Sequence, residues 1–409
     1  MEVQLNGDGP ARGPLRGVTV LDLSSVVSGP FCAQVLGDFG ADVWKLESLR
    51  GDTSRFLGLP GASGYCALFA QFNRNKRSIA LDLKQPQGQE VARRLARRAD
   101  VLLENYRPGV ADRLGLGYEV LAAENPGLIY VSINGFGPEG PYVDYPAYDT
   151  VIQGLVGFMP IQGDEDDPRL IRHIAADKAT GLTATYAIMA ALFERQRGDS
   201  DGRGQRVDVP MLDAYAAFTL PDVLGEDTFV PKRELPTPPL EAREVHRAWR
   251  TADGFVVMLI IEDSQFQGIC RTLDRPELID DPRCVDLPTR IANARELFGE
   301  LADEIRKWTT ADLVERARRF GAPLAPANSI ADFLADPQVA VNRTVFETDA
   351  DGGGRLRLLR NPVRFHASPA SLRRLPPRHG QHSAEILREA GYADAEVEAL
   401  REAGVVVGG

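Results

Sequence analysis

The sequence predicts an α/β fold built on a parallel β-sheet. Short apolar runs alternate with amphipathic stretches of helical period through roughly the first third of the chain,. Strands that alternate with helices in this way are typical of βαβ units, whose strands run parallel, so we expect a Rossmann-like layout. A segment rich in proline and charge at 226–243 then interrupts the pattern and predicts a linker to a smaller domain,.

The predicted strands of the first part are short and apolar, and the predicted helices carry apolar residues at helical spacing. The strands lie at 18–23, 42–46, 78–83, 101–104 and 129–133, and the helices at 31–39 and 88–98. A helix at 182–194, a strand at 205–209 and a helix at 211–218 follow.

The remainder of the chain predicts a smaller α+β domain at 225–330 and a C-terminal segment at 331–409. The smaller domain begins with a hairpin at 248–261, because Ala252-Asp253-Gly254 is a strong turn signal,. Its predicted helices lie at 263–273, 290–308 and 311–320, and the C-terminal segment contains a strand at 355–359 and a helix at 383–389. The large domain is assigned to 1–224.

Composition excludes several functional classes. The formal charge of −11 argues against a general nucleic-acid binder, and no apolar run approaches the roughly 20 residues of a membrane span,. We therefore expect a cytoplasmic protein without nucleic-acid or membrane partners. The four cysteines and five histidines show no metal-ligand spacing, so we expect neither a metal site nor disulfides,.

The turn after the first strand lacks a nucleotide fingerprint. Residues 24–30 read SSVVSGP, without the G-x-G-x-x-G pattern, and no P-loop occurs elsewhere,. The sequence therefore lacks the motifs that usually indicate an enzyme that uses a nicotinamide cofactor or ATP. The turn could still bind an anion through backbone N–H groups and the N-terminus of the following helix.

Asp177 is the best candidate for a nucleophile. It lies where mixed polarity gives way to the apolar, helix-like run at 182–194, so we expect it at or just before a helix N-terminus,. There the free N–H groups and the helix dipole would hold a carboxylate ionised. An ordinary N-cap is the alternative interpretation of an Asp in this place.

Several collinear blocks of sequence resemble the family III CoA-transferases, which include formyl-CoA:oxalate and carnitine CoA-transferases and the related 2-methylacyl-CoA racemases. One block, at 99–109, reads ADVLLENYRPG. The others lie at 15–23, 29–30, 38–47, 75–83, 114–115, 125–126, 132–137 and 202–209.

The resemblance implies a fold, an assembly and a mechanism. Two protomers would be interlocked as a homodimer, each with a Rossmann-like large domain completed by the C-terminal segment. Asp177 falls on the position of the Asp that attacks the acyl-CoA thioester in these enzymes. CoA would pass from an acyl-CoA to a free carboxylic acid through mixed anhydrides and an aspartyl-CoA thioester, with CoA as part of the substrate and no permanent cofactor or metal.

Cations and amides at strand ends are the predicted CoA contacts. Lys76 and Arg77, preceded by Asn75, are the preferred phosphate contacts, followed by Asn105 and Arg113,. Each cluster taken alone could equally be a solvated face.

Three positions narrow the substrate. Val27, expected in the CoA and acyl site, stands where the oxalate enzymes have a Gln, which makes oxalate doubtful and suits a larger or less polar acyl chain. The racemases have a His-Asp pair where this chain has Tyr148 and Asp149. Without that His, two-base exchange at the α-carbon is disfavoured, and we expect Tyr148 and Asp149 to position the substrate.

The leading hypothesis is thus an acyl-CoA:carboxylate CoA-transferase. The alternatives are a racemase or isomerase acting at the α-carbon of an acyl-CoA, and a catalytically silent acyl-CoA binding protein. A nicotinamide-dependent oxidoreductase ranks last.

Overall fold

The structure is a computed structural model that describes residues 13–61, 63–198, 200–233, 240 and 242–408. Its strands are β1 (Thr19–Asp22), β2 (Asp42–Glu47), β3 (Lys76–Leu81), β4 (Val101–Glu104), β5 (Ile129–Asn134), β6 (Arg206–Pro210), β7 (Trp249–Arg250), β8 (Phe255–Met258), β9 (Leu324–Pro326), β10 (Val345–Asp349), β11 (Arg355–Leu359) and β12 (Val406–Val407).

The first nine helices are α1 (Ser28–Asp38), α2 (Ala67–Phe72), α3 (Pro86–Ala96), α4 (Val110–Arg113), α5 (Tyr118–Glu124), α6 (Asp149–Leu155), α7 (Met159–Gln162), α8 (Ala175–Arg197) and α9 (Met211–Thr219). The others are α10 (Ala242–Val245), α11 (Asp263–Thr272), α12 (Leu287–Ala292), α13 (Ala294–Ile305), α14 (Thr310–Phe320), α15 (Ile330–Ala335), α16 (Pro337–Asn342), α17 (Ser383–Glu389) and α18 (Asp394–Glu402). Short 3-10 turns lie at Thr53–Arg55, Gly225–Thr228 and Pro276–Ile279.

The chain divides into two compact units. One comprises Met1–Asp222 together with Val341–Gly409, and the other is Val223–Ala340. Of the predicted C-terminal segment, residues 341–409 therefore belong to the same unit as the N-terminal residues, whereas 331–340 belong to the smaller unit. Of the predicted linker at 226–243, residues 234–239 and 241 lie outside the described residues.

The larger unit is built on a seven-stranded sheet in the order β12-β3-β2-β1-β4-β5-β6. All of its pairings are parallel except the one between β12 and β3. The parallel part has the 3-2-1-4-5-6 order of doubly wound dinucleotide-binding folds, in which ligands bind beyond the carboxyl ends of the strands where the order reverses. In this sheet the reversal lies between β1 and β4.

Alternate side chains of the strands supply two hydrophobic cores, one on each face of the sheet. Val20 of β1 packs with residues of α1, α8 and α9, whereas its neighbour Leu21 packs with residues of α3, α5 and α17. This alternation follows from the two-residue period of a strand. Helices on both faces confirm the mixed α/β architecture with a mainly parallel sheet.

The smaller unit has its own core. Its antiparallel sheet has the order β7-β8-β9, and helices α11, α13 and α14 bury apolar residues around Trp249 and Val256. The predicted single helix at 290–308 was wrong, because the chain leaves the helical path at Asn293 and α13 starts one residue later.

Helix α8 differs most from expectation. It begins at Ala175, not near 182. The early turns are rich in Ala, Thr and Gly, which gives no apolar periodicity. Thr180, Thr183 and Thr185 donate hydroxyl hydrogen bonds to the carbonyl oxygens four residues earlier, so they fit within the helix,.

Candidate active site

Asp177 lies in the first turn of α8, as its third residue, and it does not cap the helix. The cap comes from α6, where Asp149 is the first helical residue. Asp149 Oδ1 accepts hydrogen bonds from the backbone N–H groups of Ala176 at 2.8 Å and Asp177 at 3.2 Å. The N-cap alternative for Asp177 is thus wrong, and its carboxyl is not used to close its own helix.

The capping carboxylate is itself held in place. Gln153, one turn further along α6, donates to Asp149 Oδ2 at 2.6 Å. Its own Oε1 accepts from the backbone N–H of Ile171 at 3.0 Å. Because Asp149 is buried and bonded on both oxygens, α6 fixes the position at which α8 begins.

Asp177 faces the N-terminus of a second helix, α1. Ser28, the first residue of α1, faces the Asp177 carboxyl with its hydroxyl and its backbone N–H, and both donors lower the pKa of that carboxyl. The sequence predicted that the turn at 24–30 could bind an anion. In the structure, the carboxyl group that this turn faces is a side chain of the same chain.

The groups around Asp177 determine the pKa of its carboxyl. Burial raises the pKa of the carboxyl, the charge of Asp149 raises it further, and the hydrogen bonds from Ser28 oppose both. The result is a pKa of about 6. At neutral pH the group is mainly ionised but poorly solvated, which is what a carboxylate nucleophile requires.

Close packing brings the two helices together. A Cβ atom placed on Gly181 of α8 would lie 2.7 Å from the carbonyl oxygen of Ser28 and 3.1 Å from the ring of Phe31. Only glycine permits this approach. Gly181 lies one turn after Asp177, so it sets how near the carboxyl comes to the start of α1.

Asn105 joins the two loops at the reversal point of the sheet. Its Oδ1 accepts from the backbone N–H of Ser25 at 2.9 Å, and its Nδ2 donates to the carbonyl oxygen of Ser25 at 2.8 Å. Ser25 follows β1 and Asn105 follows β4. Val27, also in this loop, is buried directly before α1. Asn105 and Val27 therefore lie at the loop that leads to Ser28, whereas their predicted contact with CoA stays a prediction.

Lys76 is fully buried and bonded within the chain. Its ammonium group donates to Asp22 Oδ2, the carbonyl oxygen of Pro30 and Asn73 Oδ1, each at 2.9 Å. Burial lowers the pKa of Lys76 to about 8 although Asp22 opposes the shift. These contacts weigh against the predicted role of Lys76 in binding phosphate.

Arg77 and Asn75 also have internal partners. Arg77 pairs with Asp42, Glu385 and Glu389, the last two on α17. The amide of Asn75 donates to Asp38 Oδ1 and to the carbonyl oxygen of Ser371, at 2.8 Å each. Both side chains thereby attach the C-terminal segment to the sheet, a role that the sequence did not predict.

Arg113 and Tyr148 are the exposed members of the predicted set. Arg113 lies on the short helix α4, and within the described part of the chain no ion pair engages its guanidinium group. Tyr148 is 66 % exposed directly before α6. Of the predicted CoA contacts, Arg113 is the cation that remains accessible.

Sequence reasoning missed Ser28 and Gln153. Ser28 could have been found from its place at the helix start next to Gly29-Pro30. Gln153 carried no signal, because its partners lie up to 20 residues away. Among the described residues, no cluster of three potential metal ligands occurs and no helix is long and apolar enough to cross a membrane.

The fold and the site define an α/β enzyme in which a carboxyl of raised pKa, Asp177, faces the start of the helix that follows β1. The chain belongs to CoA-transferase family III, whose model matches residues 15–383. The members of this family use CoA thioesters and carboxylates as substrates.

Named relatives and a solved structure agree with this assignment. The chain is 35 % identical to succinate–glutarate CoA-transferase of Agrobacterium fabrum, over 92 % of this chain and 96 % of the relative. It is also 35 % identical to human succinyl-CoA:glutarate CoA-transferase, over 96 % and 90 % of the two chains. A crystal structure of a CAIB/BAIF family protein from Brucella suis superposes with a TM-score of 0.78 at 35 % identity, over 93 % of this chain and all of that one.

Proposed function

We propose that the protein transfers CoA from an acyl-CoA to a free carboxylic acid through covalent intermediates on Asp177. The observation that carries this proposal is the Asp177 carboxyl itself, with a pKa raised to about 6 and faced by the N-terminus of α1. Asp149 already accepts hydrogen bonds from the backbone N–H groups at the start of α8. The Asp177 carboxyl is therefore not needed to cap the helix and is available for chemistry.

In the first half of the reaction, Asp177 attacks the thioester carbonyl and expels CoA as a thiolate, which leaves a mixed anhydride. The thiolate then attacks the aspartyl carbonyl of the anhydride. This releases the first carboxylic acid as its anion and leaves CoA bound to Asp177 as a thioester. In the second half, the acceptor carboxylate and the thiolate repeat these steps in reverse, and free Asp177 returns.

Ser28 would stabilise the charge that develops on Asp177. When the thiolate adds to the aspartyl carbonyl, negative charge forms on the carboxyl oxygen. The hydroxyl and N–H of Ser28 already lower the pKa of this group in the resting state, so they favour negative charge on it. The positive end of the α1 dipole adds to the same effect.

Dicarboxylic acids are the proposed substrates. Two relatives that are 35 % identical to this chain are named for succinate or succinyl-CoA together with glutarate. The buried Val27 beside the site supports an acyl chain longer than that of oxalate. A screen of succinyl-CoA against oxalate, glutarate and a monocarboxylic acid of equal length would test this choice, because exchange with oxalate alone would contradict it.

A homodimer is part of the proposal. Leu182, Tyr186 and Phe193 lie exposed on α8, and exposed apolar groups on one helix indicate a surface that packs against another,. The family resemblance supports an interlocked pair. Light scattering of the purified protein should give twice the chain mass, and a monomer would contradict the assembly.

Covalent trapping tests the mechanism. The protein is incubated with succinyl-CoA, treated with hydroxylamine or borohydride, and mapped by peptide mass. Modification at Asp177 and loss of transfer in Asp177→Ala are expected. Asp213→Ala is the matched control, because Asp213 is also the third residue of a helix but is exposed. Modification elsewhere, or full activity of Asp177→Ala, would refute the proposal, and deuterium uptake at the α-carbon without an acceptor acid would favour an isomerase.

A further inference from the structure

The loop between β1 and α1 contains a backbone conformation that its sequence disfavours. Val26 has a φ of 70°, in the left-handed region. A β-branched residue is a true outlier there, since its Cβ atom crowds the backbone and strains it. The surrounding structure must therefore impose this conformation.

Three side chains hold the loop residue by residue, and two of them, Lys45 and Asp52, are buried. The N–H of Val26 donates to Asp52 Oδ1 at 3.1 Å. Asn105 binds both backbone groups of Ser25, as described above. Lys45 donates from its ammonium group to the carbonyl oxygen of Ser24 at 3.0 Å.

Asp52 and Lys45 form one rigid unit. Their charged atoms are 2.8 Å apart, and both side chains are essentially inaccessible. The N–H and hydroxyl of Ser54 each donate to Asp52 Oδ1 at 2.8 Å. Burial alone would raise the pKa of the Asp52 carboxyl, but Lys45 and Ser54 outweigh it and lower the pKa to about 2.

A second ion pair, between Glu47 and Arg55, holds Asp52 in place. The backbone N–H of Asp52 donates to Glu47 Oε2 at 2.9 Å. Arg55 binds the same carboxylate through two hydrogen bonds of 2.7 Å, a bidentate geometry that fixes orientation as well as distance,. Asp52 therefore has little freedom to follow a loop that moves.

The loop that these side chains hold ends at Ser28, the residue that faces Asp177. Ser28 lies two residues after Val26, and the chain enters α1 there. The loop is also folded against itself, because a Cβ atom on Gly29 would lie 2.2 Å from the side chain of Ser24. A change of conformation at Val26 must thus displace the hydroxyl and N–H of Ser28.

We propose that Asp52 and Lys45 are positioning residues for CoA transfer, which hold Val26 in its left-handed conformation and so direct Ser28 at the Asp177 carboxyl. The proposal rests on the function proposed above. A buried ion pair is weak evidence for stability, because the desolvation of two charges offsets their attraction. A glycine at position 26 would adopt the same backbone without strain. Val26 is strained, and the Asp52–Lys45 pair that holds it is desolvated. Because Val26 lies in the loop that leads to Ser28 and the pair holds that loop, this arrangement indicates that they fix the geometry around the Asp177 carboxyl.

Two variants test this inference. Asp52→Asn removes the charge that holds Lys45, and Asp52→Asn/Val26→Gly places at position 26 a residue that adopts the left-handed backbone without strain. Misplaced donors should lower kcat by about 10²-fold in Asp52→Asn, and the added Val26→Gly should recover about tenfold of that loss. KM for succinyl-CoA should change less than kcat.

The pH profile separates a positioning role from a structural one. Ser28 lowers the pKa of Asp177, whereas Asp149, the charged group that faces Asp177 from α6, raises it. Weaker contact with Ser28 should therefore move the acidic limb of kcat/KM above its position near pH 6, while the Asp149 effect stays constant. The matched control is Asp100→Asn, because Asp100 binds the N–H of Thr19 at the opposite end of β1. Asp100→Asn should lower the stability of the protein without moving the acidic limb of kcat/KM.

Unchanged kcat and an unchanged acidic limb in Asp52→Asn, or no recovery of kcat on adding Val26→Gly, would overturn the inference. If Asp52→Asn does not fold, Ser54→Ala decides, because it removes the hydroxyl donor to Asp52 Oδ1 and should lower kcat and raise the acidic limb, and no change in either would overturn the inference. Trapping distinguishes this failure from failure of the proposed function. In both variants CoA should still be captured on Asp177, only more slowly. Full activity of Asp177→Ala would instead refute the function on which the inference rests.

Discussion

Replacing the Asp177 carboxyl by an amide should stabilise the protein while it abolishes transfer. The carboxyl is partly buried, lies near the charge of Asp149 and has a pKa of about 6 against an ordinary value of 3.8. The folded state therefore resists its ionisation. Asp177→Asn removes the charge but keeps an oxygen that can accept from Ser28.

The sign and size of the effect follow from the two pKa values. Below pH 3.8 the carboxyl is protonated in both states and contributes no difference. Between pH 3.8 and about 6 the unfolded chain loses its proton first, so stability falls as the pH rises,. Above pH 6 the full deficit is present. A shift of roughly two pKa units at about 1.36 kcal/mol each gives an upper limit of about 3 kcal/mol.

Urea unfolding at pH 8 and pH 4 measures this difference. Asp177→Asn should unfold at a higher urea concentration than the parent protein at pH 8, and the two curves should converge at pH 4. Asp213→Asn is the matched control, because this exposed Asp occupies the same place in the first turn of α9. Its loss of a favourable helix-dipole contact should lower stability by about 0.3–1 kcal/mol.

Two outcomes would refute the reasoning. If Asp177→Asn is less stable than the parent at pH 8, the carboxylate stabilises the fold and the raised pKa is wrong. If its gain is the same at pH 4 and pH 8, the gain does not come from ionisation.

Three further predictions concern the same unit. Asp149→Asn keeps the helix cap but removes a charge that raises the pKa of Asp177, so the acidic limb of kcat/KM should move below pH 6; a limb that stays in place would contradict this. Gly181→Ala places a Cβ atom 2.7 Å from a carbonyl oxygen of α1, so we expect it to lower the free energy of unfolding by about 1–3 kcal/mol and to reduce kcat; a gain in stability would show that the helices can separate freely,. Lys76→Met leaves Asp22 buried without its partner, so we expect calorimetry to show a loss of about 3–5 kcal/mol with little change in KM for acyl-CoA, whereas a raised KM in a stable protein would restore Lys76 as a CoA contact,.

The strands of the large sheet could be predicted from sequence because their signal is local. Apolar runs with turn residues on either side placed β1 to β5 within a few residues of their observed bounds. The start of α8 could not be predicted, because Ala, Thr and Gly give no apolar period and the burial of this segment against α1 is a tertiary effect.

The contacts around the candidate site could not be predicted from the sequence for a different reason. Asp149 and the N–H of Asp177 are 28 positions apart, and only the fold brings them together. Charged residues at strand ends were interpreted as ligands because open α/β sheets bind ligands outside the carboxyl ends of their strands. Lys76 is an exception, since Asp22 of β1, two strands away in the same sheet, compensates its burial. Pairing between distant residues has no local signature.

The position of β12 has a consequence for how the chain folds during synthesis. This strand, Val406–Val407, covers the edge of the large sheet at β3, and α17 and α18 complete one of its cores. All three elements emerge from the ribosome after the smaller unit, Val223–Ala340, which is contiguous in the chain. We therefore expect the smaller unit to fold first and the edge of β3 to stay unpaired until β12 has been synthesised. During that interval β3 is open to pairing with another nascent chain, so binding by chaperones should matter most at this stage.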